Sequence, residues 1–463
     1  MHRHAGGQPG QQARRDRYGH PGRHAGGDWC DAGYTANTHT DVLTATGGIS
    51  GTFSSLVKDQ GVVFTSTTIG YGTNDVYLDT TNLKITTAAQ GNGVHYTPAS
   101  YGSAVRVQGA FNQLNGKIAH GTLSSVSDAF VQNAGVFQHT RGLRRAQASL
   151  ESLSGQLHAA SAGMTLQAIG ATGRALSLRM QKLATQNDKF HMWTHQLNWG
   201  GDMARSGYAS VNYQLNGLMV GVDTRIDPRS VAGFAFSQGS GMEYLQGRFD
   251  RNRGQNTSGM VYAGWFGQRW YLHGRTGVGH YRQQMSRMLQ LGPTYQGVWT
   301  NSNGYYNVAY AESGRHFRAG ALQLTPFVSM EYDRVARSGF AERGAGGFGL
   351  KANAQTLSRW QGSLGLKLGH QWTFANGHTL GFTARAAWQH AFATNGAVFD
   401  ASFVGLDSWQ PLTDVGLSRR STVFGLNLNA RPSANTRFNL GYEYLSGNRG
   451  RAGVASTRFT LKF

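Results

Sequence analysis

The sequence has little cysteine, little charge and no long apolar run, and each absence excludes a class of protein. A single cysteine among 463 residues excludes a disulfide scaffold and a cysteine-based zinc site. No apolar run reaches the ~18 residues that a transmembrane helix needs. Charged residues make up 14% of the chain, against about 25% in ordinary domains. They form no long runs, so the chain does not have the composition of a charged disordered protein.

Glycine and alternating apolar residues are what the chain has in abundance. Glycine accounts for 65 residues and aromatic residues for 11%. Lysine and arginine exceed aspartate and glutamate by 20, but most of them are scattered singly. Neither a basic helix nor an aromatic platform for RNA is present, so the charge does not indicate a nucleic-acid partner. The composition is typical of a transmembrane β-barrel.

Residues 188–463 have the two-residue period of β-strands. For example, Leu364, Leu366 and Leu368 alternate with Ser363 and Gly365. A soluble sandwich alternates in the same way, but here the second face carries arginine, lysine and glutamate, which a filled core would not tolerate unpaired. Short turns also alternate with long loops, which we predict near 238–257, 283–303, 337–354 and 394–420. This pattern favours an outer-membrane barrel.

We predict that this barrel has twelve antiparallel strands. Closure into a barrel pairs every strand edge, as the bilayer requires. The expected strands lie near 190–199, 208–226, 230–238, 258–267, 270–281, 303–314, 320–333, 357–371, 379–392, 421–431, 436–446 and 454–463.

Before the barrel, residues 143–187 have helical spacing. Apolar or small residues recur every three or four positions between Leu143 and Leu178, as on one face of a helix. The other face consists of serine and glycine, and each glycine weakens the helix by roughly 1 kcal/mol. A thin helix of this kind fits a narrow channel. Periodicity alone, however, favours an ordinary packed helix.

The N-terminal part divides into two regions. Residues 1–40 form a basic, low-complexity tail that we expect to be disordered. No apolar stretch of roughly 7–15 residues follows Met1, as a secretory signal requires, so we expect a misplaced start or a fragment. Residues 41–142 begin with alternating Thr, Val and Gly, which predicts a β-rich, solenoid-like segment followed by a linker.

No pattern in the chain predicts catalysis or a bound cofactor. Gly344, Gly346 and Gly349 match a dinucleotide-binding spacing but lack the surrounding strand and helix. His191 and His195 are four residues apart without the glutamate of a zinc-binding helix. We find no serine motif of a hydrolase. We therefore expect no catalytic residue, metal or cofactor in this chain.

Taken together, several stretches resemble the translocator domain of autotransporters, the proteins of type V secretion. The resemblance covers about residues 40–463. Its specific stretches are AQASLESLSGQLHAA, TPFVSMEYDRVARSGFAERG, AAWQHAFATNGAVFDASF, GLNLNARPSANTRFNLGYEYLSGNRG and the closing STRFTLKF. The upstream GISGTFSSL and IGYGTNDVYLDTTNLKI resemble the passenger tail that precedes such barrels, most closely in subtilisin-type members.

The resemblance implies a barrel in the outer membrane of a Gram-negative bacterium, with the helix inside its lumen. The barrel then moves or anchors its own upstream passenger at the cell surface. The implied partners are outer-membrane lipid and lipopolysaccharide, periplasmic chaperones and the barrel-assembly machinery. We expect a monomer. The helix cations would meet inward carboxylates of the barrel, and the candidates for these pairs are Arg174, Arg179 and Lys182 with Glu331, Asp333 and Glu443.

The resemblance also implies roles at the two ends of the barrel. Phe459, Leu461 and Phe463 resemble the signal that the barrel-assembly machinery recognises. Asn187 and Asp188 lie between helix and barrel, where some autotransporters cut themselves.

Three hypotheses for function follow. The first is a non-enzymatic translocator. The second is the C-terminal part of a secreted or surface serine protease, whose catalytic domain would lie upstream of this chain. The third is a general porin, which conductance with and without the helix would distinguish.

Overall fold

A computed structural model describes residues 33–57, 61–184, 189–375, 377–433 and 436–461, together with the pairs 13–14 and 25–26. Most of the N-terminal tail therefore lies outside the described residues. None of the helices in the described ranges is long and apolar enough to cross a bilayer.

Twelve antiparallel strands form a closed barrel, as predicted. The last strand pairs with the first through Gly450–Met203 to Gly453–Gly200, which closes the sheet. The strands are β1 (Phe190–Met203), β2 (Val211–Arg225), β3 (Ser230–Leu245), β4 (Arg251–Phe266), β5 (Trp270–Leu291), β6 (Thr294–Arg315), β7 (Leu322–Arg337), β8 (Gln355–Thr373), β9 (Thr379–Asn395), β10 (Arg420–Arg431), β11 (Thr436–Gly447) and β12 (Gly450–Leu461).

The alternation in the sequence separates an apolar outer face of the barrel from a polar inner face. Leu364 and Phe424 point outward and are 60% and 54% exposed, so no part of the protein covers them. Lys367 and Arg385 lie on the inner phase of the same region and contact Glu312. An apolar exterior around a charged interior is the arrangement of a barrel in lipid.

The prediction of long loops is wrong at two of the four places. Residues 238–257 and 283–303 mostly extend β3 to β6 as two hairpins, and residues 292–293 make the turn between β5 and β6. Their inner faces stay buried because Leu289, Leu291 and Val298 pack in a core beyond the barrel wall. The other two loops carry short strands at Phe340–Ala341, Leu350–Ala352, Val398–Phe403 and Gln410–Thr413. We call this the long-loop end, and the end with turns 226–229 and 267–269 the short-turn end.

Residues 33–57 and 61–152, which we call the cap, cover the long-loop end. The cap contributes three strands (Thr38–Thr44, Asp75–Asn82 and Thr65–Tyr71) to a four-stranded sheet, whose fourth strand is the pair Ala13–Arg14 beside Thr38–Thr44. Its helices are the single turn Ile85–Ala88, then α1 (Pro98–Ala119), α2 (Asp128–Gln138) and α3 (Leu143–Ser152). Within residues 41–142, where we predicted a β-rich segment followed by a linker, the strands end at Asn82 and helices follow.

Local capping explains why a helix begins where strands were expected. The Thr97 hydroxyl accepts a hydrogen bond from the Ser100 N–H at 3.0 Å, and Pro98 takes the first helical position. Both are strong signals for a helix start. Phe130 of α2 then stacks on Phe348 of the barrel loop with 4.5 Å between ring centroids, so the cap and the barrel share one core.

The predicted helix over 143–182 is divided into two. Helix α3 ends at Ser152, and α4 runs from Gln156 to Leu183. Gly155 joins them with a φ of +71°, and a Cβ there would lie 2.6 Å from Leu350 Cδ1. Glycine is needed at this position because its φ is positive and because the barrel loop passes so close.

Candidate functional site: the helix-filled pore

Helix α4 lies inside the barrel. Its 28 residues span about 42 Å, which exceeds the roughly 30 Å hydrocarbon thickness of a bilayer. Of these residues 20 are buried, on every side of the helix. Small residues such as Ala160, Gly163 and Ala171 keep the helix thin enough for the lumen. The helix therefore fills the pore.

One cation of the helix is held near the short-turn end by a buried aspartate. Arg179 donates from Nε and Nη2 to the two carboxylate oxygens of Asp223, each at 2.8 Å. The Tyr262 hydroxyl donates to the same carboxylate at 3.0 Å, and His191 Nδ1 lies 3.3 Å from it. A bidentate arginine–carboxylate pair fixes both orientation and depth. Asp223 was not among the predicted partners, because the strand phase around VGVDTR is ambiguous in the sequence.

A second cation of the helix contacts the barrel at mid-depth. Arg174 Nε lies 3.3 Å from Glu443 Oε1, so the structure brings these two candidates together. The Arg174 guanidinium also lies 3.4 Å from the ring centroid of Trp199. Lys182 is half-buried in the last turn of α4.

The other two candidate carboxylates bind the wall rather than the helix. Glu331 Oε2 accepts from Arg275 Nη2 at 2.6 Å. Asp333 Oδ2 accepts from Arg359 Nη2 at 2.6 Å, because the two residues are directly opposite in the ladder between β7 and β8. The expectation that Glu331 and Asp333 pair with the helix cations is therefore corrected: Asp333 joins β7 to its neighbour β8, and Glu331 reaches past β6 to Arg275 of β5.

A carboxylate that sequence reasoning missed is the centre of a buried polar cluster. Glu312 accepts from the hydroxyls of Tyr271 and Tyr310 at 2.8 and 2.6 Å and from Lys367 Nζ at 2.6 Å. His273 Nε2 lies 3.2 Å away. Glu312 could not be identified in advance, because the strand phase of residues 303–314 is ambiguous in the sequence.

At the long-loop end, a buried network of hydrogen bonds and ion pairs holds the N-terminal end of α4. Arg287 donates to both oxygens of Glu342 at 2.7 and 2.8 Å, and His158 of α4 lies 2.8 Å from one of them. Burial alone would raise the pKa of Glu342, but the Arg287 guanidinium and His158 outweigh it and hold that pKa well below its ordinary value. Arg287 Nη1 also donates to the Ser152 carbonyl at 3.1 Å, which connects the network to the cap.

Little space remains beside the helix. Two cavities of about 110 Å³ each lie between α4 and the wall. Charged side chains line them, among them Arg174, Arg385 and Glu443. Within the described ranges, no cluster of three or more His, Cys, Asp or Glu residues is placed to hold a metal ion.

The remaining sequence candidates lie at the limits of the described chain. Asn187, Asp188 and Phe463 are outside the described residues. Phe459 and Leu461 belong to β12, and the backbone of Phe459 pairs with Phe438 of β11. Their roles in cleavage and in barrel assembly therefore stay predictions.

The tight fit between helix and wall gives a testable expectation at Gly173. A Cβ there would lie 2.2 Å from Arg275 Nη2, and that guanidinium is already bound to Glu331. We expect Gly173→Ala to cost about 1–3 kcal/mol. The measurement is the temperature at which the folded barrel loses its compact migration on a gel.

Gly116 in α1 is the matched control, because nothing lies within 4 Å of the Cβ that alanine would add. There Gly→Ala should be neutral or stabilise the helix by roughly 0.5–1 kcal/mol. Equal effects at the two glycines would contradict the close packing of α4 against the wall.

Known proteins are similar to the barrel part of this chain. The family model described as the autotransporter beta-domain matches residues 192–443. An extracellular serine protease of Serratia marcescens is 23% identical over 314 residues, which is 65% of this chain and 29% of that protein. The chain thus spans under a third of the length of this relative. The translocator domain of the autotransporter NalP from Neisseria meningitidis has a similar structure, with a TM-score of 0.50 and 16% identity over 65% of this chain and 98% of that one.

Proposed function

Because the chain belongs to the autotransporter family, we propose that it carries its own N-terminal passenger to the cell surface and anchors it there. Its barrel is the translocator of type V secretion and lies in the outer membrane. The translocator domain itself is not an enzyme.

The observation that carries this function is the path of the chain. The cap lies on the long-loop end, the chain then enters the lumen as α4, and α4 ends near the short-turn end beside β1. Short turns face the periplasm and long loops face outward in bacterial barrels. The upstream polypeptide thus lies outside the cell while its downstream end is held inside the pore.

We propose the following division and partners. Residues 1–40 and 41–142 are the tail and the passenger remnant with its linker, 143–187 is the pore segment, and 188–463 is the barrel. Periplasmic chaperones would deliver the chain, and the barrel-assembly machinery would recognise the end of β12. Lipopolysaccharide would surround the outer rim of a monomeric barrel.

A second candidate is that the chain is the C-terminal part of a serine protease. The observation in its favour is the matched relative from Serratia marcescens, which is an extracellular serine protease. A catalytic serine motif in frame upstream of this coding sequence would support this second function. If such a motif is absent, only the translocator function remains.

An epitope inserted after Gly93 tests the proposed function. Gly93 lies in an exposed turn of the cap, so antibody should bind this tag on intact cells. The matched control carries the same tag after Pro228, in an exposed short turn, and should bind antibody only after the outer membrane is permeabilised. If the two tags behave in the opposite way, or both stay hidden, the proposed orientation is wrong.

A further inference from the structure

Two levels of outward-pointing side chains mark the two edges of the apolar band on the outer face of the barrel. Trp270 at the start of β5 and Leu322 at the start of β7 point outward at the lower level. Ten residues along the same strands, His280 and Tyr332 also point outward. Ten residues at about 3.3 Å each, on strands tilted by about 40°, correspond to roughly 25 Å of height. This matches the apolar band of an outer-membrane barrel.

The upper level is aromatic on neighbouring strands. His280 of β5 lies against Tyr305 of β6 with 5.0 Å between ring centroids, and Tyr332 of β7 lies against Trp360 of β8 at 4.7 Å. Rings of this kind sit at the boundary between hydrocarbon and headgroups.

Three arginines occupy one level above this boundary. Arg253 lies twelve residues from Trp265 on β4, Arg282 twelve from Trp270 on β5, and Arg334 twelve from Leu322 on β7. Twelve residues correspond to roughly 30 Å by the same geometry. The three side chains are therefore about 5 Å beyond the apolar band, at the depth of lipid headgroups.

The surroundings of the three arginines are mostly polar. All three are exposed and point outward, and within the described ranges none of them forms a salt bridge to a carboxylate. Most of their outward neighbours are amides (Gln255, Gln284, Asn301 and Asn303), with the apolar Met242 opposite Arg253 on β3. The carboxylates of the two hairpins, Glu243 and Asp250, are buried on the inner side. Among the residues that the structure describes, no salt bridge compensates the three positive charges.

We propose that Arg253, Arg282 and Arg334 bind the phosphate groups of the phosphorylated glycolipid in the outer leaflet. Guanidinium groups bind phosphate through two parallel hydrogen bonds, and the neighbouring amides can donate further bonds to sugar or phosphate oxygens. The inference rests on the proposed function, because the long-loop end must face outward for the arginines to reach that leaflet. It adds a defined lipid site on β4, β5 and β7.

The test compares two triple variants of the full chain in micelles of uncharged detergent. In the first, Arg253, Arg282 and Arg334 are each changed to Gln. In the matched control, Arg229, Arg269 and Arg318, which are exposed at the short-turn end, are changed to Gln. The probe is bisphosphorylated lipid A, with lipid A lacking both phosphates as the reference ligand.

We expect the first variant to bind bisphosphorylated lipid A at least about tenfold more weakly, since each of the three arginines adds attraction to an anionic lipid surface. The control variant should change by less than about twofold, because its arginines lie at the other end of the barrel and not at one lipid level. Binding of phosphate-free lipid A should be equal in all three proteins. Restoring charge with Arg→Lys at the three positions should recover part of the affinity, because lysine keeps the charge but not the paired hydrogen bonds.

If both triple variants lose the same affinity for bisphosphorylated lipid A, net charge alone causes the binding and the proposed site is wrong. The site is also wrong if the variant at Arg253, Arg282 and Arg334 binds as tightly as the unsubstituted protein. The epitope after Gly93 is measured in the same variant. If that tag stays surface-exposed while the triple variant binds lipid A as tightly as the unsubstituted protein, only the proposed lipid site is wrong. If the tag is hidden in the unsubstituted protein as well, the orientation and thus the proposed function fail.

Discussion

Removing α4 from the pore is expected to raise single-channel conductance in planar bilayers by at least about tenfold, because a helix with its side chains occupies a cylinder about 10–12 Å wide. The change is deletion of residues 1–184, which leaves β1 to β12. In the intact chain, two cavities beside the helix have volumes of only about 110 Å³ each. Removing the helix also leaves Asp223 and Glu443 without their arginine partners, so the open lumen should favour cations near these sites.

The matched control separates the helix from the cap. Deletion of residues 1–152 removes the cap but keeps α4, with Arg174 and Arg179 in place. We expect its conductance to stay close to that of the intact chain, because Arg179 and Asp223 still hold the helix. If conductance is the same with and without α4, the helix does not close the pore. If cap deletion alone opens the channel, the closure lies in the cap instead.

The barrel could be predicted from the sequence because each strand carries its own signal. Leu364, Leu366 and Leu368 must face lipid while Lys367 faces the lumen, and a two-residue period records that requirement directly. All twelve predicted strands are present. The extensions of β3 to β6 could not be predicted in this way. Beyond the membrane their outward residues mix polar side chains such as Arg282 with apolar ones such as Trp299, so the alternation is lost. Their inner residues pack on a cap whose position cannot be read from the local sequence.

Partners across the lumen were predictable only in part. The sequence places Arg174 and Arg179 on a helix and Glu443 on an inner face, but the choice of partner depends on the rotation and depth of the helix. Arg179 therefore pairs with Asp223, whose phase is ambiguous, and Asp333 pairs with Arg359 across a strand ladder. Cross-strand register brings together residues that are far apart in the chain. A single sequence does not give this register, so these pairs could not be predicted.

Breaking the Arg287–Glu342 pair is the second change for which we expect a large effect. Glu342→Gln leaves the Arg287 guanidinium buried without its carboxylate, and removing one partner of a buried pair costs about 3–5 kcal/mol. Because Arg287 also binds the Ser152 carbonyl at the end of α3, the loss should loosen the docked cap. Amide hydrogen exchange in α1 to α3 should become at least about 100-fold faster, since about 1.4 kcal/mol is a factor of ten.

The double variant Arg287→Met with Glu342→Leu is the control for this prediction. Replacing both charges by apolar side chains of similar size is often neutral, so exchange in the cap should return close to that of the unsubstituted protein. The pH dependence follows from the lowered pKa of Glu342. Its contribution to stability is complete above the unfolded carboxyl pKa of about 4.3 and declines only as the pH falls through the lower folded value. Between pH 7 and 5 the pair should therefore hold the cap equally well. If Glu342→Gln leaves exchange in α1 to α3 unchanged over this range, the network does not hold the cap on the barrel.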